Sequence, residues 1–594
     1  MPGNDFAVNG RDGRAIHMTM ERKMIFSRSS LLKGQQRLIL DTILLGVVGA
    51  LGAQLFMFLL TYSEKFFMGW LAGYQGPGLP QEGGTLDQVI GAHGLWLVPV
   101  ATTLGGLVSG ILVYALAPEA EGHGTDTAVK AFHQLGGKIR ARIPFVKMIA
   151  SVITIGSGGA AGREGPTALI SAGIGSIYGG LENRSAEERR LLTLVGMAAG
   201  LSAIFRSPVG TAIFAIEVLY SDMEFDADAL LYTLLGSVVA YAVNGLFVGW
   251  RPLFHVPPDL TAPHFNDYLW YVALGVTAGG MATLLPNVFY YMRDSFTAFP
   301  IPPHFKPALG GLGVGLMALG LPQVLGGGYG WIQKAIDGQM ALMVLFVLVF
   351  AKMVAFSMTV SSGGSGGVFA PGLYVGAMLG AFWAHLFHQP PAPFVIVGMA
   401  AVFAGAARVP VASMLMVTEM TGGYYLLPAA ALAVILSYLI QVSLSANFKY
   451  KSLYEAQVPG RADSPAHHLQ QLEAIIHLLH HRRISVPETI SHLDLRDLLA
   501  SGIALDLPDE NRLALGVLKK ESPFVGQPLK TAFSEIEDGN LEIIAIFRQG
   551  HTLLPNPDLL LKPEDRILVI TREETWKQLD AHLMPIVAPA TITY

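Results

Sequence analysis

Residues 156–171 read GSGGAAGREGPTALIS, and residues 361–376 repeat that stretch in altered form as SSGGSGGVFAPGLYVG. Pro166 pairs with Pro371 at an offset of 205, and three glycines of each stretch align in the same register. Glycine permits unwound backbone, and proline suits the first turn of a helix. Each stretch therefore predicts a loop that leads directly into a helix.

A second pair of stretches supports the repeat. Residues 196–217 resemble residues 398–419 at an offset of 202, and both contain Gly-Met, Arg-x-Pro and a final Glu. In a membrane protein, Gly/Pro-interrupted apolar segments at matching places in two halves indicate broken helices that meet at a midplane binding site. We therefore predict an all-α polytopic membrane protein with broken helices in two related halves.

The composition favours a membrane protein. The chain is 52% hydrophobic with a mean hydropathy of +0.46, and only 14% of it is charged, against about 25% in soluble domains. A large soluble α protein is the alternative, but many apolar runs exceed the length of a core helix. The runs that are long enough, or nearly so, to span a bilayer lie at 38–62, 94–117, 190–220, 229–249, 268–290, 341–360, 371–387 and 426–445.

Basic residues predict the orientation in the membrane. Residues 1–36 are polar and basic, and no secretory signal is expected before the first span. The loop 130–147 is basic too, so both segments are expected in the cytoplasm. The prediction is a multi-pass protein of the cell (inner) membrane with cytoplasmic N- and C-termini.

Several classes of function are disfavoured. The chain has no cysteine, which excludes disulfides, thiol catalysis and cysteine metal sites. A net charge of −5 with scattered basic residues gives no nucleic-acid footprint. No nucleophile–base set stands out, so neither an enzyme nor a cofactor or metal site is expected.

The composition changes after about residue 447, where a soluble tail is expected. We divide the chain into an N-terminal segment (1–36), a transmembrane domain (37–458), a polar linker (459–512) and a small cytoplasmic α+β domain (513–585). The linker contains a helical pattern near 466–483. The tail pattern predicts a short helix at Gln527–Ile536 and strands at Leu513–Leu518, Leu541–Arg548, Thr552–Leu554 and Arg566–Thr571.

Residues 37–458 resemble the CLC family of chloride channels and proton/chloride exchangers. The order and spacing of several motifs carry this resemblance. It implies an inverted-repeat helical fold with broken helices, and a homodimer in lipid with one anion pathway in each subunit. The motifs are APEAEGHG at 117–124, GREGP at 162–166, AIE at 215–217, GVFAP at 367–371, EMTGGYY at 419–425 and KSLYE with Tyr454.

The glycine motifs make physical sense for an anion. An ion that leaves water needs fixed donors, and backbone N–H groups at helix N-termini provide them. Residues 162–166 and 367–371 therefore predict two helix starts directed at one ion. A tight helical hairpin with glycines for packing is the alternative. A nucleotide-binding loop is disfavoured because no Lys-Ser/Thr follows.

Glu164 is the strongest candidate for a functional residue, because a carboxylate within a membrane costs free energy and is usually retained for function. The resemblance implies that Glu164 is a gate whose carboxylate occupies the anion pathway until protonation releases it. Arg163 could instead make it a structural ion pair. The resemblance also implies that Val368 and Phe369 offer backbone N–H groups and that Tyr454 offers a hydroxyl to the anion.

Two positions depart from the family pattern. Residues 122–126 read GHGTD where the family usually has GSGIP. The resemblance places Gly122, His123 and Gly124 at the anion. The imidazole of His123 either donates directly or turns away while a backbone N–H serves. Asp126 is a candidate proton relay together with Glu164.

Val218 is the second departure, because many exchangers of the family carry a glutamate there. A missing inner acid favours channel-like conduction, with a proton-coupled chloride antiporter as the alternative. The neighbouring Glu217, and Glu419 in the second half, are expected to pack or cap helices.

The tail resembles the TrkA-C type of potassium-channel regulatory domain, on the motifs IFRQG (546–550), PNPD (555–558) and LKPEDRILVI (561–570). Such domains commonly dimerise and bind small ligands, so 513–585 is expected to be regulatory. A potassium channel is the competing hypothesis, but no TVGYG-type filter is present. The linker histidines favour a solvated helix over a metal site; they are His467, His468, His477, His480 and His481.

Overall fold

A computed structural model describes residues 12–257, 263–466, 505–506, 511–533, 541–548, 551–553, 555–572, 579 and 583–584. The chain forms two compact units, 1–457 and 458–594. The predicted linker helix near 466–483 and the five linker histidines lie outside the described residues.

The first unit is helical. The first half of its helices comprises α1 (Asp12–Glu64), α2 (Val98–Leu116), α3 (Thr125–Gln134), α4 (Arg142–Gly156), α5 (Glu164–Leu181), α6 (Ala186–Phe205), α7 (Pro208–Glu217) and α8 (Ala227–Val248). The second half comprises α9 (Asp267–Ala298), α10 (Lys306–Gly320), α11 (Tyr329–Ile336), α12 (Leu342–Ser361), α13 (Phe369–Leu386), α14 (Pro391–Ala407), α15 (Pro410–Thr421) and α16 (Leu427–Leu444). A two-stranded ribbon of β1 (Tyr74–Gln75) and β2 (Val89–Ile90) follows α1.

Seven helical stretches of the described chain are long and apolar enough to cross a membrane. They are Gln36–Leu71, Val98–Leu116, Ala227–Val248, Asp267–Ala298, Leu342–Ser361, Phe369–Leu386 and Tyr424–Leu444. The stretch Gln36–Leu71 combines the C-terminal part of α1 with a π-helical segment, Lys65–Leu71.

The predicted run 190–220 is not one span. Arg206 adopts the left-handed conformation (φ 55°) and ends α6, and Pro208 then starts α7. The second half breaks in the same way, with Arg408 at φ 56° and Pro410 at the start of α15. The apolar run alone could not reveal the break, because buried helices on both sides of it are equally apolar.

Two carboxylates tie these broken segments together. Glu217, the last residue of α7, accepts hydrogen bonds from the Val411 N–H (3.0 Å) and the Ala412 N–H (2.7 Å) in the first turn of α15. Glu419 on α15 does the converse and accepts from the Gly210 N–H (2.9 Å) at the start of α7. Each half therefore caps a helix of the other half.

The second unit contains an antiparallel sheet in the order β3-β4-β7-β5-β6, with β8 paired to β4. The strands are β3 (Leu505–Asp506), β4 (Asn511–Leu518), β5 (Glu542–Arg548), β6 (His551–Leu553), β7 (Arg566–Arg572) and β8 (Leu583–Met584). The four predicted strands thus correspond to β4 to β7. The short helix is α17 (Leu529–Ala532), and residues 534–540 lie outside the described part.

A buried ion pair holds two strands of this sheet together. Asp565, 1% exposed, accepts two hydrogen bonds from the Arg548 guanidinium, at 2.8 and 2.7 Å. The hydrogen bond to this carboxylate raises the pKa of Arg548 above its ordinary value. Apolar residues such as Leu518, Ile546 and Ile567 form the core beside it.

Candidate functional site

The two glycine motifs meet in the middle of the first unit. Gly162 and Gly367 exchange backbone hydrogen bonds at 2.7 and 2.6 Å, and the Gly366 N–H donates to the Gly122 carbonyl at 3.1 Å. A Cβ on Gly165 would lie 2.1 Å from the His123 carbonyl oxygen. Glycine is therefore needed where three loops approach at backbone distance.

Glu164 begins α5 at this junction and is 1% exposed. Its Oε1 accepts a hydrogen bond from the Tyr329 hydroxyl. Its Oε2 is buried without a hydrogen-bond partner among the described residues. The backbone N–H of Ala370, in the first turn of α13, faces the same carboxylate. The acid thus lies between the N-termini of two helices.

Arg163 makes its main ion pair elsewhere. Its guanidinium donates to both oxygens of Glu82, at 3.0 and 2.6 Å, while its Nε is 4.0 Å from the Glu164 Oε1. The same guanidinium lies over the Tyr329 ring, 4.7 Å from its centroid. Arg206 donates to the Gln81 carbonyl (2.9 Å) and so fixes the loop that carries Glu82. Arg163 is hydrogen-bonded to Glu82, and at 4.0 Å its charge also faces the Glu164 carboxylate.

A cavity of about 10 Å³ lies beside Glu164, about the size that holds one water molecule. Four predicted residues line it: Glu164, Val368, Phe369 and Tyr454. Thr125, the first residue of α3, lines it as well, and its hydroxyl shares a hydrogen bond with that of Tyr454. Leu201, Phe205 and Phe214 supply much of the apolar wall.

Gly122, His123 and Gly124 do not line this cavity. The His123 Nε2 lies 3.0 Å from Asp126 Oδ2, and its Nδ1 is buried without a partner in the described chain. Asp126 also accepts from the backbone N–H groups of Glu455 and Ala456, each at 3.2 Å. Asp126 therefore holds the Nε2 side of the His123 ring and also fixes the backbone next to Tyr454.

A larger cavity of about 640 Å³, which we call the Glu82 vestibule, opens on the Tyr329 side of Glu164. Its lining includes Glu64, Glu82, Arg163 and Tyr329. Tyr74 also lines it. Glu164 lines the small cavity, and its hydrogen-bond partner Tyr329 lines the vestibule.

Two buried lysines hold the loops of this region. Lys147, on α4, donates to the carbonyls of Ala120 (3.0 Å) and Gly122 (2.6 Å). Lys352, on α12, donates to the carbonyls of Val324 (2.8 Å) and Gly326 (2.6 Å). Both lysines are fully buried. Each orders the loop that precedes a short helix, α3 or α11.

Reasoning from sequence missed Thr125, Tyr329 and Glu82. The repeat contains a signal for the first two, because the segment Pro118–Thr125 aligns with Pro322–Tyr329 at an offset of 204. Both segments begin Pro-x-x and end with a glycine before a hydroxyl-bearing residue. Glu82 has no such signal, since its partner Arg163 lies 81 residues away in a different element.

Comparisons with known proteins agree with this architecture. The family profile described as voltage gated chloride channel matches residues 105–442, and that of the TrkA-C domain matches residues 516–583. The H(+)/Cl(-) exchange transporter ClcA of Salmonella agona is 32% identical over 360 residues, which cover 58% of this chain and 76% of that protein. The voltage-gated ClC-type chloride channel ClcB of Shigella flexneri is 29% identical over 365 residues, covering 60% of this chain and 86% of that protein.

Solved structures share the fold. A CLC-type fluoride/proton antiporter superposes with a TM-score of 0.60 at 22% identity and covers 71% of this chain and 98% of its own. A eukaryotic CLC transporter superposes with a TM-score of 0.58 at 19% identity, and the match covers 95% of this chain and 91% of that chain. The predicted helical membrane fold with a small α+β tail is thereby confirmed. The chain is a multi-pass membrane protein that belongs to the CLC family and carries a C-terminal TrkA-C domain.

Proposed function

We propose that the protein moves chloride or a similar small anion across the membrane along a pathway gated by Glu164. One observation carries the proposal: a buried carboxylate lies between the N-termini of α5 and α13, beside a cavity of about 10 Å³. Helix N-termini favour negative charge. The carboxylate therefore occupies a position that stabilises negative charge. Protonation would neutralise the carboxylate, and the position would then be open to another anion.

The anion site is proposed at the small cavity. Val368 and Phe369 begin α13 there, so their backbone N–H groups are free of intrahelical acceptors. Tyr454 and Thr125 add hydroxyls. These donors carry no mobile countercharge, which suits rapid exchange of an anion.

His123 is proposed to act on the approach to this site rather than within it. Its Nε2 is engaged by Asp126, which leaves Nδ1 as its one unengaged ring nitrogen. Gly122 and Gly124 flank it, and the Gly122 carbonyl is tied to Lys147. We propose that Thr125 supplies the hydroxyl that the family's usual serine would provide.

Channel-like conduction is the favoured mechanism. Val218, at the end of α7, is fully buried and cannot carry a proton. Proton-coupled antiport is the second candidate, because the relative from Salmonella agona is named an H(+)/Cl(-) exchange transporter. In that mechanism Asp126, whose side chain is 25% exposed, would join Glu164 as a proton relay.

The remaining parts of the proposal concern assembly. We propose that both termini lie in the cytoplasm, because the segments 1–36 and 130–147 are basic. We also propose that the protein is a homodimer of the inner membrane, on its resemblance to the CLC family. The TrkA-C domain would respond to a cytoplasmic small molecule. The match to that domain is confined to the tail, so a potassium channel is not proposed.

Chloride efflux from proteoliposomes with simultaneous external pH recording tests the mechanism. Channel-like conduction predicts chloride efflux with no steady proton movement in the opposite direction. A proton flux at fixed stoichiometry to chloride would replace it with antiport, and Asp126→Asn would then be expected to abolish that proton flux. Absence of any anion flux would overturn the proposed function.

A further inference from the structure

Several neighbouring residues hold Tyr329 in position beside Glu164. It is the first residue of α11 and follows Gly328, whose φ of 80° turns the chain into the helix. Lys352 fixes the preceding loop through the carbonyls of Val324 and Gly326. The ring packs under the Arg163 guanidinium, 4.7 Å away. Its hydroxyl is thereby directed at the Glu164 carboxylate.

The internal repeat gives Tyr329 a counterpart. It lies 204 positions after Thr125, and Lys352 lies 205 positions after Lys147. In both halves a buried lysine orders a loop, and the helix after that loop starts with a hydroxyl-bearing residue. Thr125 reaches Tyr454, whereas Tyr329 reaches Glu164. The fold thus brings one hydroxyl to Tyr454 and the other to Glu164, two residues that line the small cavity.

We propose that Tyr329 is a positioning residue that holds the ionised Glu164 carboxylate in the closed position, an inference that rests on the proposed gate. A hydrogen bond to an ionised group is worth more than one between neutral groups. The Tyr329 hydroxyl therefore stabilises the closed, charged gate more than the protonated gate. Release of the carboxylate must break this bond.

The Arg163 charge also favours the ionised Glu164, but at 4.0 Å Arg163 makes no hydrogen bond to that carboxylate. Arg163, on the same element, is engaged by Glu82 from the loop before β2. Glu64, at the end of α1, faces Arg163 and Glu82 across the vestibule. From α13 the backbone N–H of Ala370 faces the carboxylate. Among the described residues, Tyr329 makes the only side-chain hydrogen bond to Glu164.

Tyr329→Phe in the full-length protein tests the proposal, because it removes the hydroxyl and keeps the ring under Arg163. Anion efflux from proteoliposomes is measured across pH for wild type, Tyr329→Phe, Glu164→Gln and the double variant. We expect the Tyr329→Phe midpoint to move to higher pH by about one unit, the difference between a charged and a neutral hydrogen bond. In the Glu164→Gln background, Tyr329→Phe should change nothing further.

Tyr74→Phe is the matched control, since it removes a phenol that lines the same vestibule and is not hydrogen-bonded to Glu164. Its pH profile should coincide with that of the wild type. If Glu164→Gln loses its pH dependence while Tyr329→Phe matches the wild type or shifts to lower pH, the role of Tyr329 is refuted and the gate stands. An equal effect of Tyr329→Phe in both backgrounds also refutes it. A Glu164→Gln variant that keeps the wild-type profile overturns the gate itself.

Discussion

Glu217→Ala should destabilise the membrane unit more than any other single change at the helix breaks. The carboxylate is fully buried and is the acceptor for the N–H groups of Val411 and Ala412. A buried N–H left without a partner costs about 1–3 kcal/mol, so two cost about 2–6 kcal/mol. Glu217→Gln keeps one acceptor oxygen but turns an NH2 group toward the other N–H, so it should still cost at least about 1–3 kcal/mol.

Glu419→Ala is the matched comparison. Its carboxylate accepts from Ser207 Oγ (2.5 Å), the Gly210 N–H (2.9 Å) and the Val209 N–H (3.2 Å). Val209 is 39% exposed, so this N–H group is less deeply buried than those that Glu217 caps. We therefore expect Glu419→Ala to cost less than Glu217→Ala.

Thermal unfolding of the full-length protein in detergent, followed by tryptophan fluorescence at one scan rate, measures the difference. The expected order of midpoints is wild type, Glu419→Ala, then Glu217→Ala, and a fixed scan rate matters because such unfolding is often irreversible. A Glu217→Ala midpoint equal to that of wild type would refute the reciprocal capping. So would a larger loss for Glu419→Ala.

Three further predictions concern the anion site and the tail. Thr125→Val should weaken chloride binding by roughly tenfold or more, because a hydrogen bond to an ion is worth about 1.5–3 kcal/mol. Calorimetry in detergent measures this change, and His123→Ser should have a smaller effect. A larger effect of His123→Ser would place His123 at the anion instead. Asp565→Asn should destabilise the tail by about 1–3 kcal/mol because it weakens the support of Arg548, seen as faster amide exchange in β7; unchanged exchange would contradict this. Ending the chain after Gly460 should leave a dimer that still transports anions, and loss of flux with the dimer intact would contradict a purely regulatory tail.

The repeat in the sequence made the loop-to-helix turns of the two glycine motifs predictable. Residues 162–166 and 367–371 each stand at the start of a helix, and the bridge between Gly162 and Gly367 joins them. This outcome follows from local chemistry, because glycine loops and an early proline favour the same loop-to-helix turn wherever they occur. The strands of the tail were predictable for a similar reason, since alternation and turn residues act locally.

Contacts between distant segments were not predictable in this way. The sequence left the orientation of His123 open and did not predict that Asp126 engages its Nε2 while also binding the backbone of 455–456. Tyr329 lies 165 residues from Glu164. The repeat marks Tyr329 as the counterpart of Thr125, but only the folded chain shows that its hydroxyl meets the Glu164 carboxylate.

The pH dependence of anion efflux in Glu164→Gln tests the central claim most directly. Glutamine has the shape of the protonated acid but cannot ionise, so the account predicts efflux that is nearly independent of pH and exceeds that of the wild type at alkaline pH. Glu182→Gln serves as the control, because Glu182 caps the far end of the same helix and pairs with Arg37 at the surface. That control should keep the wild-type profile. A Glu164→Gln variant whose efflux follows pH as the wild type does would contradict the claim that this carboxylate gates the pathway.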